Sequence, residues 1–373
     1  MNINPIAAKN IALYLMYNEK DGKYLLGSKD KDRYVILTKE KGEYFLNLLN
    51  DMDGSRSDEQ LSSKWKLSIE TTQNIIAMFY KNGLLANSPE NDNTEVKRLS
   101  KRLFRIGCNH LSQIPIRVAQ RLIVCFFVVL VFLGGFDLYS LLVNLDSGFN
   151  LFKFNDSYLL SLLISSLIMI PSFFVHELCH SIAALKNGLK PSNIDICLYL
   201  YLFPLFYVKI NGLYTVKYKQ RIMIMSAGML GNVFLGFAGF ALYSIFGNGI
   251  FLTIVLAQCN IILANLNPFS LSDGYYIITM LFRSENLRKN MFDIIANLDF
   301  KKYRQHYKLF GYIAFNLILI IINAVYLSKF SYGIICEVLH VNISTWIVPV
   351  ANIVLIICYW IIVHFRFKRA NDV

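Results

Sequence analysis

The chain has 373 residues, of which 55% are hydrophobic and only 17% charged, with a mean hydropathy of +0.43. That balance excludes an ordinary soluble protein and points to a polytopic membrane protein. The net charge of +12 sits mostly beside apolar runs, where it reads as cytoplasmic flanking charge and not as a nucleic-acid surface.

The first thirty residues hold no basic-then-apolar signal segment, so the N-terminus is expected to stay in the cytoplasm. Residues 1–90 read as a small α+β domain whose acidic and basic side chains balance. Tyr34-Val35-Ile36-Leu37-Thr38 has the composition of a strand. Glu43 to Asp51 reads as a helix with Phe45, Leu46, Leu48 and Leu49 apolar, and Asp53-Gly54 marks a turn. Ser57-Asp58-Glu59-Gln60 is a capping box, opening a helix that carries Leu61 and Trp65. Another helix starts at Ser68 and places Ile69, Ile75, Ile76, Phe79 and Tyr80 at helical spacing. It ends at Asn82-Gly83, before a short return strand at Leu84-Leu85. Three short helices with flanking strands predict a winged-helix-like domain. Residues 91–120 read as a linker, polar at first and then basic at Lys97, Arg98, Lys101, Arg102 and Arg105.

Six apolar runs then predict membrane spans at 121–144, 159–186, 220–246, 250–280, 308–329 and 343–364, each long enough to cross the hydrocarbon core. Basic residues crowd the flank before the first span, the loops after the second and fourth, and the C-terminal tail. With six spans these segments share one side, so both termini are expected on the cytoplasmic face. Ile194 to Ile210 is apolar too, but it is short, bounded by Asp195 and Lys209 and interrupted by Pro204. It reads as a re-entrant or interfacial segment, extended in conformation.

The second span contains His176-Glu177-Leu178-Cys179-His180. Residues four apart share a helix face, so the two imidazoles can hold one Zn²⁺, with Glu177 beside a water on the metal. The alternative is a pair of core histidines. Ionisable groups inside a hydrophobic span are costly, however, and usually mark a site. Cys179 faces away from the histidine pair and reads as a small hydrophobe. The seven cysteines are scattered without a Cys-x-x-Cys pair, so they give neither a disulfide framework nor a cysteine zinc site.

A catalytic zinc needs a third protein ligand. His110, His306, His340 and His364 fall at predicted interfaces or outside the spans, which leaves Asp273 in the fourth span. Pro268 and Gly274 would loosen the helix around it, and Asn265 and Asn267 could cap the freed backbone groups. His176 lies roughly 25 Å along an inward-running span and Asp273 roughly 30 Å along another, so the depths agree. An interfacial aspartate that hydrates itself is the other explanation.

The motif His176-Glu177-x-x-His180, with Asn267-Pro268 and Asp273-Gly274-Tyr275-Tyr276 in a later span, resembles the site-2 protease family of intramembrane zinc metalloproteases. The later motif is most similar to the family's peptide zinc metalloprotease branch. Ser226-Ala227-Gly228-Met229-Leu230-Gly231-Asn232 resembles the family's G-P-x-x-N element, with Met229 in place of the proline. The resemblance covers about residues 118–280. It implies zinc ligands His176, His180 and Asp273, Glu177 as general base, and a re-entrant β element at Ile194 to Ile210. It also makes Asn232 and Asn267 candidates for holding substrate or the oxyanion, although Asn232 reads equally as a polar residue of helix packing. The catalytic membrane core is accordingly expected at 121–280, followed by a cytoplasmic loop and two further helices at 281–373.

Residues 1–90, through Tyr34-Val35-Ile36-Leu37, Leu48-Leu49, Asp53-Gly54 and Asn82-Gly83-Leu84-Leu85, are similar to the leader-peptide recognition domains of modified-peptide biosynthesis. These resemble the peptide chaperone of pyrroloquinoline quinone synthesis. The expected function is therefore a membrane zinc endopeptidase that matures a leader-bearing, ribosomally made peptide at the cytoplasmic leaflet, with the lipid bilayer as its setting and no nucleic-acid partner. Regulated cleavage of a membrane-anchored regulator is the alternative among enzymes. A non-catalytic export or immunity component is the alternative outside them.

Overall fold

The computed structural model describes residues 4–16, 22–28, 33–88, 100–107, 153–199, 203–266, 272–283 and 307–340, with single positions at 287, 290, 350, 351, 354 and 358. The predicted span 121–144 lies outside the described residues, as does 343–364 apart from those single positions. Among the described residues the chain is mostly helical, with a small N-terminal sheet and two helices long and apolar enough to cross a membrane. It divides into two compact units, one of Met1–Ile114 with His180–Ile224 and one of Pro115–Cys179 with Met225–Val373.

In the first unit, β1 (Ile11–Leu15), β2 (Lys23–Ser28) and β3 (Arg33–Thr38) form an antiparallel meander in that order. Gly27 stands opposite Tyr34, and a Cβ there would lie 2.1 Å from the Arg33 carbonyl oxygen, so only glycine fits the register. Three helices follow: α1 (Lys39–Asn50), α2 (Asp58–Trp65) and α3 (Ile69–Lys81). The predicted capping box forms, with Ser57 and Gln60 each accepting from the other's backbone N–H. Ser68 accepts from the Thr71 N–H at the start of α3, and Gly83 leaves its end at φ +73°. Leu26, Leu48, Leu49, Met52, Leu61, Phe79, Leu84 and Leu85 make the core. The expected return strand is a single bridge, Ala7 to Leu85.

A second sheet completes this unit. The 194–210 stretch is extended, as expected, and forms an antiparallel hairpin of β5 (Pro191–Tyr199) and β6 (Phe203–Ile210). Its third strand, β4 (Ser100–Ile106), comes from the stretch read as a basic linker. Arg105 stands opposite Asp195 and donates to it through Nε at 2.8 Å and Nη2 at 3.3 Å. A charge placed near the membrane by sequence is here one half of a two-pronged ion pair that fixes strand register.

The second unit is built on long helices. α4 (Tyr158–Lys186) and α5 (Tyr218–Phe246) match the predicted second and third spans within two residues, and both cross the division between the units. The predicted fourth span is corrected. It is two helices, α6 (Ile250–Asn265) and α7 (Asp273–Phe282). The sequence between them holds Pro268, a residue type that has no N–H to donate to a helix. α8 (Tyr307–Leu339) overruns the predicted 308–329 by ten residues. The extra turns carry Glu337, whose carboxylate accepts from the Tyr158 and Leu159 N–H groups and from Ser157 Oγ. It thereby satisfies orphan donors at the start of α4.

Asp51, at the end of α1, accepts from Lys64 Nζ at 2.6 Å and Trp65 Nε1 at 2.9 Å, with Arg56 at 3.2 Å. The Lys64 bond, with Trp65 and Arg56 adding, holds its carboxyl below the ordinary range against the opposing push of partial burial. A depressed carboxyl pKa stabilises the fold above the unfolded value and loses that contribution as pH falls through the folded one. Asp51→Asn should therefore cost about 1 kcal/mol at neutral pH, the scale of partly exposed charge-assisted bonds. In thermal melts across pH, the wild-type advantage should be full at neutral pH and shrink as pH falls below about 5 and on through the depressed folded value.

Candidate metal centre

α4 presents His176 and His180 one turn apart, and both side chains are buried. Each ring is oriented through Nδ1. His180 Nδ1 lies 2.7 Å from the Ile224 carbonyl oxygen in α5. A carbonyl only accepts, so that nitrogen carries the proton and Nε2 carries the lone pair. His176 Nδ1 lies 2.5 Å from Asn232 Oδ1, also in α5. Its Nε2 lies 2.8 Å from Asp273 Oδ2.

Asp273 is the first residue of α7, so its carboxylate sits at the positive end of a helix dipole. The break between α6 and α7 puts it there; in an unbroken span it would be a mid-helix side chain. Gly274 makes the arrangement possible. A Cβ at that position would lie 2.5 Å from the Asn265 carbonyl oxygen and 2.9 Å from Leu266 Cα, so any side chain would push the start of α7 off the end of α6. The glycine expected to loosen a helix instead allows close approach. Asn265 donates to the Ile261 carbonyl oxygen within its own helix.

The helix contact between α4 and α5 also depends on a glycine. A Cβ on Gly231 would lie 2.6 Å from Cys179 Sγ. Cys179 thus packs against the α5 backbone, and Gly231 lets Asn232, the next residue, reach His176. Glu177 is half-buried, one residue beyond His176.

The ligand-type atoms of His176, His180 and Asp273 lie within 4.8 Å of one another. Two imidazoles with anchored Nδ1 atoms and one carboxylate are a donor set that suits zinc, and three ligands leave a fourth position for water or substrate. Asn267 lies outside the described residues. Gln258 and Ser172 were not singled out by sequence. Both are buried and bonded to each other, and Gln258 also bonds Asn232. Their signal was available, since each is a polar side chain within an apolar helix. Beside them lies an apolar cavity of about 480 Å³, lined by Ile168, Pro171, Val175, Leu235, Phe251 and Ile254 among others.

No family model, curated protein or solved structure matches the chain.

The glycine contacts give a test. Gly231→Ala should destabilise the protein by about 1–3 kcal/mol, as overpacking does. Cys179→Ala removes the sulfur and leaves the Cys179 Cβ at 3.4 Å from the new methyl, so the double variant should recover most of the loss in thermal melts. Gly274→Ala meets backbone atoms, and no side-chain change should relieve it.

Proposed function

We propose that the protein is a membrane-embedded zinc endopeptidase. The observation that carries this is the cluster of His176, His180 and Asp273, gathered from two helices with Glu177 adjacent. Zinc, when bound, supplies Lewis acidity that polarises a scissile carbonyl and acidifies a water. The chain supplies the rest. His176 and His180 present Nε2 lone pairs, and Asp273 offsets positive charge. Glu177 accepts the proton of the attacking water and delivers it to the leaving amine nitrogen.

A helical peptide hides its carbonyls in hydrogen bonds, so the substrate must arrive extended. We read the β5–β6 hairpin as the element that holds it, by strand addition. β3 of the N-terminal sheet pairs with β2 among the described strands. We read residues 1–90 as a winged-helix-like peptide reader with β3 as its docking edge. The substrate is then a leader-bearing, ribosomally made modified peptide, and the charge balance of 1–90 gives duplex nucleic acid no basic face to bind. The apolar runs and basic loops support six spans in the cell membrane, with both termini and the site toward the cytoplasm.

Purified protein should hold about one zinc, and His176→Ala or His180→Ala should lose most of it. Glu177→Gln should keep the metal and lower peptide cleavage by about 10²–10⁴-fold, the range for a general base. Loss of zinc in Glu177→Gln, or undiminished cleavage, would overturn the assignment.

A further inference from the structure

We infer that Asn232 is a positioning residue, which acts through His176 and not on the substrate. Its amide is the middle of a buried chain of hydrogen bonds whose direction is fixed at one end. Ser172 Oγ lies 2.8 Å from the Ile168 carbonyl oxygen, one turn back in α4. The carbonyl can only accept, so the hydroxyl proton goes to it. Ser172 Oγ must then accept from Gln258 Nε2 at 2.8 Å. With its nitrogen so placed, Gln258 turns Oε1 toward Asn232 Nδ2, again at 2.8 Å. Asn232 is therefore left with its carbonyl oxygen facing His176 Nδ1. An oxygen acceptor needs a proton there, so Nδ1 carries it and the Nε2 lone pair is directed at Asp273 and the metal position.

The chain thus chooses the tautomer of a ligand imidazole four residues along α4 from where it begins, by way of α6 and α5. Burial makes the choice strict. Ser172 is 4% exposed, Gln258 1% and Asn232 0%, so water cannot replace a broken link cheaply. The same facts argue against a role on the substrate. Asn232 Oδ1 is committed to His176 and Nδ2 to Gln258, and the residue has no surface to offer a peptide. Outer partners of metal-bound histidines raise ligand basicity and fix ring orientation, and their loss commonly weakens metal binding by about 10–100-fold.

The inference rests on the zinc-site assignment, and the experiment separates the two. Zinc affinity of the full-length protein is measured by competition with a chromophoric chelator, with size-exclusion elution as the check on folding. Asn232→Ala should weaken zinc binding by about 10–100-fold, and cleavage should largely return once excess zinc restores occupancy. Asn232→Asp keeps an acceptor for His176 Nδ1 and should hold zinc within a few-fold of wild type. Should Asn232→Ala fail to fold, Ser172→Ala tests the far end of the chain. The Ser172 side chain bonds only the Ile168 carbonyl and Gln258 and no metal ligand, and its loss should weaken zinc by a few-fold. Wild-type affinity in Asn232→Ala, with turnover reduced about 10²–10³-fold at full occupancy, is the signature of a lost oxyanion donor and would overturn the positioning role. Wild-type affinity in Ser172→Ala would break the chain argument in the same way. If the wild-type protein itself binds no zinc, the metal assignment fails first and the positioning role goes with it.

Discussion

An imidazole nitrogen and a carboxylate oxygen lie 2.8 Å apart in this structure, at His176 and Asp273. With the His176 proton on Nδ1, both atoms are acceptors, and two acceptors at that distance repel unless a proton or a metal ion is shared between them. His180, one turn along α4, brings a second imidazole whose proton is held by a backbone carbonyl. A proton needs no such third donor, whereas a zinc ion does.

The surrounding features serve that contact. Glu337 secures the start of the helix that carries both histidines. Gly231 lets α5 approach α4 so that Asn232 and the Ile224 carbonyl meet the rings. Gly274 lets α7 begin against the end of α6, and so fixes where the carboxylate starts. Irregular backbone in an apolar setting is tolerated where protein covers it or where it borders a cavity, and a helix start beside a metal position is a use that repays it.

Local signals made much of this legible in the sequence. The ends of α4 and α5 follow from unbroken apolar runs, and the starts of α2 and α3 follow from Ser57 and Ser68, whose capping acts within four residues. The spacing of His176 and His180 is a property of any helix. Other features depend on partners far away in sequence. The pairing of Arg105 was not legible because its partner, Asp195, is ninety residues on. The β4 strand was hidden further by a register shift between Arg102 and Phe104, which breaks the alternation that marks a strand. Pro268 signalled irregularity in the fourth span, but not that α7 would restart with Asp273 at its first position. The role of Gln258 was invisible because an amide in an apolar helix announces a need for partners without naming them.

X-ray absorption at the zinc edge of the purified full-length protein is the most direct test of a two-histidine, one-aspartate metal site. The expected spectrum shows a first shell of nitrogen and oxygen only, at about 2.0–2.2 Å, with the outer-shell scattering of two imidazoles. In Asp273→Asn the shell should change while both imidazole signals persist. A sulfur shell near about 2.3 Å, or imidazole scattering unchanged in His176→Ala, would place the metal elsewhere and contradict the account.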